Sequence, residues 1–120
     1  MNKHTIIQSF KFAINGFIVA AFTERNLKLH LLSAITVIIA GVFFQISLAE
    51  WNSVVIAISL VFISELFNTS IETLSDTLHP EIHKGIQHTK DIAASAVVFA
   101  SLCSLTIGVI IFGPHLLNYF

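Results

Sequence analysis

The chain has 120 residues, of which 55% are hydrophobic and only 11% are charged, and its mean hydropathy is +0.85. Soluble domains are usually about 25% charged, so the composition argues against a soluble domain and indicates a single all-α membrane domain over residues 1–120. The formal net charge of −1 gives no reason to expect a nucleic-acid partner, and a single cysteine, Cys103, excludes an intrachain disulfide.

The first segment, from about residue 5 to 22, has an amphipathic pattern. Its apolar side chains recur at helical spacing, whereas Gln8, Lys11 and Asn15 lie off this stripe. The pattern predicts a helix lying in the membrane interface with its apolar face towards the lipid; a helix packed against the other spans is the alternative. Lys11 and Asn15 also interrupt the apolar core that a signal peptide would need, and no small-residue cleavage site follows.

Three later stretches are long and apolar enough to cross a bilayer, at about residues 27–48, 51–74 and 92–112. A hydrocarbon core of about 30 Å needs roughly 20 helical residues, and helix satisfies the backbone polar groups within each span. The first two spans are joined by "AEWN", and the second loop, "TLHPEIHKGIQHT", contains Pro80 and Gly85, which predict a loop with room for a short helical turn.

Basic residues predict the orientation. No lysine or arginine lies between the first two spans or after the third; the basic residues are Lys3, Lys11, Arg25, Lys28, Lys84 and Lys90. Because basic residues favour the cytoplasmic side, the N-terminus and the second loop are predicted to be cytoplasmic and the C-terminus to face outward. The chain is thus expected to be a multi-pass protein of the cytoplasmic (inner) membrane.

The second span ends in "ELFNTSIETLSD", a polar segment that continues an apolar helix. At 100° per residue, Glu65, Asn68, Glu72 and Asp76 fall within an arc of about 80° on one helix face. From the helical rise, Glu72 lies about 6 Å and Glu65 about 16 Å deeper than Asp76. Ionisable side chains at membrane depth are costly and normally mark a functional site.

Polar groups at the starts of the other two spans are expected at the same level. Glu24 and Asn26 open the first span, and Lys90 and Asp91 open the third. Several carboxylates fit a hard cation such as Mg²⁺ that also binds phosphate oxygens, a lysine fits a phosphate, and the deep Glu65 fits a general base. Together they indicate phosphoryl transfer to a hydroxyl that enters from the lipid. The chain has no glycine-rich phosphate loop, so spacing by itself does not identify ATP.

Other functions compete with this interpretation. Charges at helix ends can simply extend to water, which would explain Asp76, Lys90 and Asp91. A small multidrug or ion transporter could use a membrane-embedded glutamate, but its site should lie near the midplane, and a scaffold subunit has no use for a buried Glu65. No role is assigned to the histidines: no carboxylate or thiol completes a zinc site with His79, His83 and His88, and His30 is expected at the interface.

Four segments carry a resemblance to a known family: "ERN" (24–26), "ELFNTSIETLSD" (65–76), "HPEIHKGIQHTKD" (79–91) and "AASAV" (93–97). With their spacing, the chain resembles the small integral-membrane diacylglycerol kinases and undecaprenol kinases of prokaryotes. The resemblance implies an ATP- and Mg²⁺-dependent lipid kinase with three spans and a surface helix. It also implies a homotrimer whose sites are shared between subunits.

The resemblance also implies roles for individual residues. It makes Glu65 the general base towards the lipid hydroxyl, and makes Glu24 and Glu72 ligands of the metal that bridges the ATP phosphates. The remaining positions are expected to line the site or bind the nucleotide: Asn26, Asn68, Asp76, Lys90 and Asp91. Ala93-Ala94 replaces a Gly-Ser pair of some diacylglycerol-specific members and looks more like the undecaprenol branch. The acceptor, diacylglycerol or undecaprenol, and the number of metal ions are left open.

Overall fold

The computed structural model describes residues 5–120, which form four helices: α1 (Ile6–Thr23), α2 (Arg25–Phe43), α3 (Leu48–Leu78) and α4 (Lys84–Tyr119). Each is long and apolar enough to cross a membrane, and residues 5–120 contain no strand. The predicted all-α membrane fold is therefore confirmed. Lys3, used above to predict the orientation, lies outside the described residues.

Helix α1 begins at a reciprocal cap and ends at a single extended residue. Thr5 N donates to Gln8 Oε1 (2.9 Å) and Gln8 N donates to Thr5 Oγ1 (3.2 Å), so two free donors of the first turn are satisfied. Glu24 alone separates α1 from α2, with φ −97° and ψ 118°. No residue of α1 is buried, although the Phe17 ring packs on Phe62 of α3 with centroids 6.2 Å apart. The interfacial position of α1 stays a prediction.

The connection between α2 and α3 lies earlier in the chain than the sequence predicted. The segment "AEWN" belongs to α3, because Ser47 and Glu50 form a capping box that starts the helix at Leu48. Helix α2 ends in a Schellman motif, in which Ile46 N donates to Gly41 O (3.1 Å) and Gln45 N donates to Val42 O (3.2 Å). The motif requires a left-handed residue, and Gln45 takes that conformation with φ 51°.

Helices α2 and α3 approach closely beside this turn. A Cβ added at Gly41 would lie 2.6 Å from a ring carbon of Trp51, so the indole packs directly against the α2 backbone. The neighbouring buried side chains Ile46, Val54 and Ile111 form a cluster that joins α2, α3 and α4. This end of the bundle, called the outer end below, is also held by Glu50 and His115, whose Oε2 and Nε2 atoms lie 3.2 Å apart.

Helix α4 is longer than the third predicted span at both ends. It has 36 residues, so it is about 54 Å long, which matches the 55 Å length of the molecule. It begins after His83, whose Nδ1 accepts hydrogen bonds from Gly85 N (3.1 Å) and Ile86 N (3.3 Å). It continues past Pro114 to Tyr119, because the last turns pack on α2 and α3: Tyr119 contacts Phe43 and Phe44.

Helix α3 is the centre of the fold. It makes its largest interface with α4, a smaller one with α2, and touches α1. Its buried residues repeat at intervals of three and four, so they form one face of the helix; they are Val54, Ala57, Val61, Glu65, Asn68 and Ser75. Large apolar side chains on the other faces remain exposed, which suits a surface in contact with lipid or a second subunit.

Candidate active site

The buried face of α3 changes from apolar to polar part of the way along the helix. Val54, Ala57 and Val61 fill its outer half, and Glu65 and Asn68 continue the same face towards the end that carries Asp76 and Lys90. We call that end the inner end; it is the predicted cytoplasmic one. Burying a carboxylate and an amide in this face costs free energy unless a partner or a ligand compensates.

Glu65 is the most deeply buried ionisable group of this face. Its side chain is 2% exposed, so it points into the bundle rather than at the lipid. The nearest charged or titratable group is His30 of α2, with Nε2 3.5 Å from Glu65 Oε2. That distance is beyond the usual 2.7–3.2 Å of an N–H···O hydrogen bond, and no described residue donates a hydrogen bond to Oε2. One acceptor atom is therefore buried and available.

Asn68 and Glu72 lie on the next two turns of the same face. Asn68 Nδ2 donates a long hydrogen bond to Glu72 Oε1 (3.4 Å), while Asn68 Oδ1 is buried with no donor within residues 5–120. Glu72 is half-buried, and this single weak contact leaves most of its carboxylate free to bind a ligand.

Lys90 faces a group of carboxylates at the inner end. Its Nζ donates to Asp76 Oδ1 at 2.9 Å, and the negative charges of Glu72 and Asp91 also act on it. Asp91 is exposed and accepts a hydrogen bond from Gln87 Nε2 of its own helix (2.8 Å). The structure thus brings the second and third predicted spans together at the level that the sequence predicted, through the Asp76–Lys90 pair.

Glu24 and Asn26 are not brought into contact with these groups. Glu24 is half-buried at the junction of α1 and α2, and Asn26 is exposed in the first turn of α2. In the described part of the chain, their side chains make no hydrogen bond or ion pair with the other predicted site residues.

The donor set fits a magnesium ion that is shared with phosphates rather than enclosed by the protein. No three His, Cys, Asp or Glu side chains within residues 5–120 are grouped closely enough to hold a metal. Mg²⁺ is usually bound by one or two carboxylates plus phosphate oxygens and waters, so a complete protein cage is not required. The free oxygen atoms of Glu72 supply such a carboxylate, and no thiol or imidazole competes for the ion at that position.

An apolar groove of about 630 Å³ opens between α2 and α4 and over α3; Glu65 does not line it, but its neighbour His30 does. His30 lines one end of the groove and Leu116 the other, so it extends from the neighbourhood of Glu65 towards the outer end. The lining is apolar apart from a few hydroxyls and His30 itself; it includes Ser33, Val37, Val61, Ser101 and Leu105. This shape and polarity suit a hydrocarbon chain whose polar end reaches Glu65.

One of the histidines, His30, makes a contact that was not predicted from the sequence. The His79 and His83 rings contact each other at an angle of 57°, with centroids 4.9 Å apart, and His83 caps α4. His30, for which no role was predicted, contacts Glu65. The sequence contains only a weak signal for a role of His30: it is a titratable residue inside an apolar span, about one and a half turns after the helix begins.

Comparison with known proteins gives one family. Residues 11–112 match the family described as prokaryotic diacylglycerol kinase. An undecaprenol kinase of Bacillus subtilis (strain 168) is 37% identical over 109 residues, which cover 91% of this chain and 89% of that protein. A diacylglycerol kinase of Synechocystis sp. is 30% identical over 114 residues, covering 94% of this chain and 65% of that protein. None of these relatives is a transporter, so the transporter alternative gains no support.

Proposed function

Because the chain belongs to the prokaryotic diacylglycerol kinase family of membrane lipid kinases, we propose that it transfers the γ-phosphate of ATP to the hydroxyl of a membrane alcohol in a Mg²⁺-dependent reaction. The observation that carries the proposal is the buried, unpaired Oε2 of Glu65 beside the apolar groove. A free carboxylate oxygen accepts a hydrogen bond, and an alcohol hydroxyl donates one.

The inner end supports binding of the phosphates. Lys90 offers a cationic donor, and Glu72, with Glu24 as the second predicted ligand, offers carboxylate oxygens to a metal that also touches the phosphates. Mg²⁺, when bound, neutralises charge on the transferred phosphoryl group. Asp76 holds the Lys90 amine in place, and Asn68 connects the phosphate region to Glu65 along one helix face.

In the proposed reaction, Glu65 Oε2 accepts the proton of the lipid hydroxyl while that oxygen forms its bond to the γ-phosphorus. The bond between the γ-phosphorus and the ADP oxygen breaks, and ADP leaves towards the inner end. Because Glu65 is 2% exposed, the reacting hydroxyl is kept apart from bulk water, which would otherwise compete as the acceptor.

Undecaprenol is the favoured acceptor. The undecaprenol kinase matches this chain at higher identity and along nearly its whole length, whereas the chain covers 65% of the diacylglycerol kinase. A single groove that begins at His30 and extends to Leu116 fits one long chain with a terminal hydroxyl. The proposed location is the inner membrane with Lys90 on the cytoplasmic side, where ATP is supplied.

The test is a transfer assay in mixed micelles with labelled ATP, in which undecaprenol, diacylglycerol and no added lipid are compared. We expect labelled undecaprenyl phosphate to form fastest, and we expect Glu65→Gln to give no product. ATP hydrolysis without any labelled lipid would contradict the proposal. Faster labelling of diacylglycerol would retain the kinase and change only its acceptor.

The metal is tested separately. Glu72→Gln should raise the Mg²⁺ concentration required for half-maximal activity at least tenfold, because it replaces one anionic ligand by a neutral amide. Glu81→Gln, the same change on the exposed α3–α4 loop, is the control and should leave the titration unchanged. Equal titrations for both variants would exclude Glu72 as a ligand.

We also propose that the chain works as a homotrimer, as the family resemblance implies. The extensive exposed apolar surface of α3, at Ile56, Ile63 and Phe67, offers an interface within the membrane. Mixing an inactive Glu65→Gln subunit with a Lys90→Met subunit, at an ATP concentration too low for the Lys90→Met protein to work by itself, should restore activity if a site combines residues from two subunits. If both residues act within one chain, as the contacts of α3 with α4 allow, the mixture stays inactive.

A further inference from the structure

The contact between His30 and Glu65 has no place in the reaction described so far. Glu65 would take a proton from the acceptor in each turnover, and it must lose that proton before the next one. A carboxylate that is 2% exposed has almost no contact with bulk water, so it cannot readily pass its proton to bulk water directly. A second group is therefore needed to receive the proton.

The surroundings of Glu65 offer one such group. His30 Nε2 lies 3.5 Å from Glu65 Oε2, and the imidazole side chain is 21% exposed, against 2% for Glu65. His30 is thus in contact with the buried carboxylate on one side and with the surroundings of the bundle on the other. It is five residues from the start of α2, about 7.5 Å along the helix, so it lies close to the inner interface.

Among the described residues, no other titratable group forms an ion pair or a hydrogen bond with Glu65. Helix α3 presents Glu65 to His30, and the groove-lining residues of α4 are serines, glycines and apolar side chains. The only charged residue of α1 is Lys11, which is exposed and makes no recorded contact with His30. The proton on Glu65 therefore has one nearby base to move to.

From this geometry we infer that His30 is a positioning and proton-relay residue for Glu65. The inference rests on the proposed function, in which Glu65 is the base. The lipid O–H proton passes to Glu65 Oε2 as the oxygen–phosphorus bond forms, and from there to His30 Nε2. The imidazolium then releases its Nδ1 proton to water at the inner interface, which leaves a neutral imidazole protonated at Nε2. A water-assisted tautomer change moves that proton back to Nδ1, so Glu65 and His30 both return to their starting states.

The substitution that tests the relay is His30→Gln. Glutamine is of similar size and its polar amide can occupy the same place beside Glu65, but it cannot take up a proton. We expect kcat to fall at least tenfold with the KM for ATP unchanged, since the loss affects proton transfer rather than binding. The control is His88→Gln, which removes an exposed histidine of α4 and should leave kcat unchanged.

Two further measurements separate a relay from a purely structural contact. The kcat of the native protein should fall when acid protonates His30, because the imidazolium cannot take up a proton, and His30→Gln should lose this dependence. Added imidazole should restore part of the activity of His30→Ala and none of that of Glu65→Gln. If His30→Ala does not fold, the pH profile of His30→Gln decides by itself.

The outcomes distinguish this inference from the proposed function. Normal kcat in His30→Gln, together with an inactive Glu65→Gln, overturns the relay and leaves Glu65 as the base. A fall in kcat with an unchanged pH profile and no rescue by imidazole also overturns it, because that is what a structural contact would give. Activity retained in Glu65→Gln removes the basis of both.

Discussion

Replacing Glu65 by glutamine should lower activity without lowering stability. The substitution keeps the shape of the side chain and removes its charge and its ability to accept a proton. General-base catalysis typically contributes about 10²–10⁴-fold. At about 1.36 kcal/mol for each factor of ten, the loss corresponds to about 2.7–5.4 kcal/mol of transition-state stabilisation.

The structure predicts that stability does not fall with the activity. Glu65 is 2% exposed and its Oε2 receives no hydrogen bond from residues 5–120, so the native protein carries a buried acceptor without a donor. An unsatisfied buried group costs about 1–3 kcal/mol, and a charge adds to that cost. A neutral amide should therefore leave the protein equally stable, or more stable by up to about that amount. Activity is measured by lipid phosphorylation, and stability by thermal unfolding in the same micelles.

Glu50→Gln is a matched control in the same helix. Glu50 caps α3 through Ser47 and lies 3.2 Å from His115 at the outer end, far along α3 from Glu65. The glutamine variant should unfold at a lower temperature while the folded protein keeps its specific activity. If Glu65→Gln instead unfolds earlier and loses activity in proportion, then Glu65 is a structural residue and the reasoning about the base is wrong.

Three other substitutions test the fold and the phosphate region. Gly41→Ala should destabilise the protein by about 1–3 kcal/mol in thermal unfolding, because its Cβ would lie 2.6 Å from the Trp51 ring; unchanged stability would mean that this approach of α2 to α3 is looser. Gln45→Gly should stabilise it by about 1 kcal/mol, since a left-handed residue with φ 51° favours glycine, and a loss of stability would contradict the Schellman turn. Lys90→Met should raise the KM for ATP severalfold with little change in melting temperature, because the pair with Asp76 is solvent-exposed; an unchanged KM would remove Lys90 from the phosphate site.

The sequence predicted the helical membrane fold and the polar face of α3 because both depend on local periodicity. Glu65 and Asn68 lie three residues apart, so one face of any regular helix contains them both. Their burial in the structure follows from the position of α3 between α2 and α4. The sequence also contains the signal for the start of α3, because Ser47 and Glu50 have the spacing of a capping box. The predicted boundary at 51 was nevertheless three residues too late, since it followed the apolar run after Trp51 and not this box.

The contact of His30 with Glu65 was not predictable from the sequence, since it depends on how far two helices are displaced along each other. The helical rise places Glu65 about 20 Å from the end of α3 at Leu78, but His30 only about 7.5 Å from the start of α2 at Arg25. The two side chains meet because α3 projects well past α2 at the inner end. Helix length by itself gives no such displacement; packing of α2 against α3 determines it.

This displacement explains how a hydroxyl near the membrane interface can reach a carboxylate that appears deep when only α3 is considered.

Hydrogen-bond acceptors and donors lie in different parts of the site. The buried atoms without donors, Glu65 Oε2 and Asn68 Oδ1, are both acceptors, so they can bind a ligand that donates, as an alcohol does. The cationic donor, Lys90, lies at the inner end and suits phosphate, which only accepts.

Water also donates hydrogen bonds, so the division of polarity does not by itself protect ATP from hydrolysis. In the proposed reaction, access provides that protection: Glu65 is enclosed by the bundle, and the groove that ends at its neighbour His30 is lined almost entirely by apolar side chains. A hydrocarbon chain passes from the bilayer into this groove without leaving apolar surroundings, whereas water that enters it loses hydrogen bonds. In the proposed reaction, an alcohol attached to such a chain therefore reaches the neighbourhood of Glu65 more readily than water does. Selection of the acceptor in this fold consequently depends on the apolar groove more than on the chemistry of the hydroxyl.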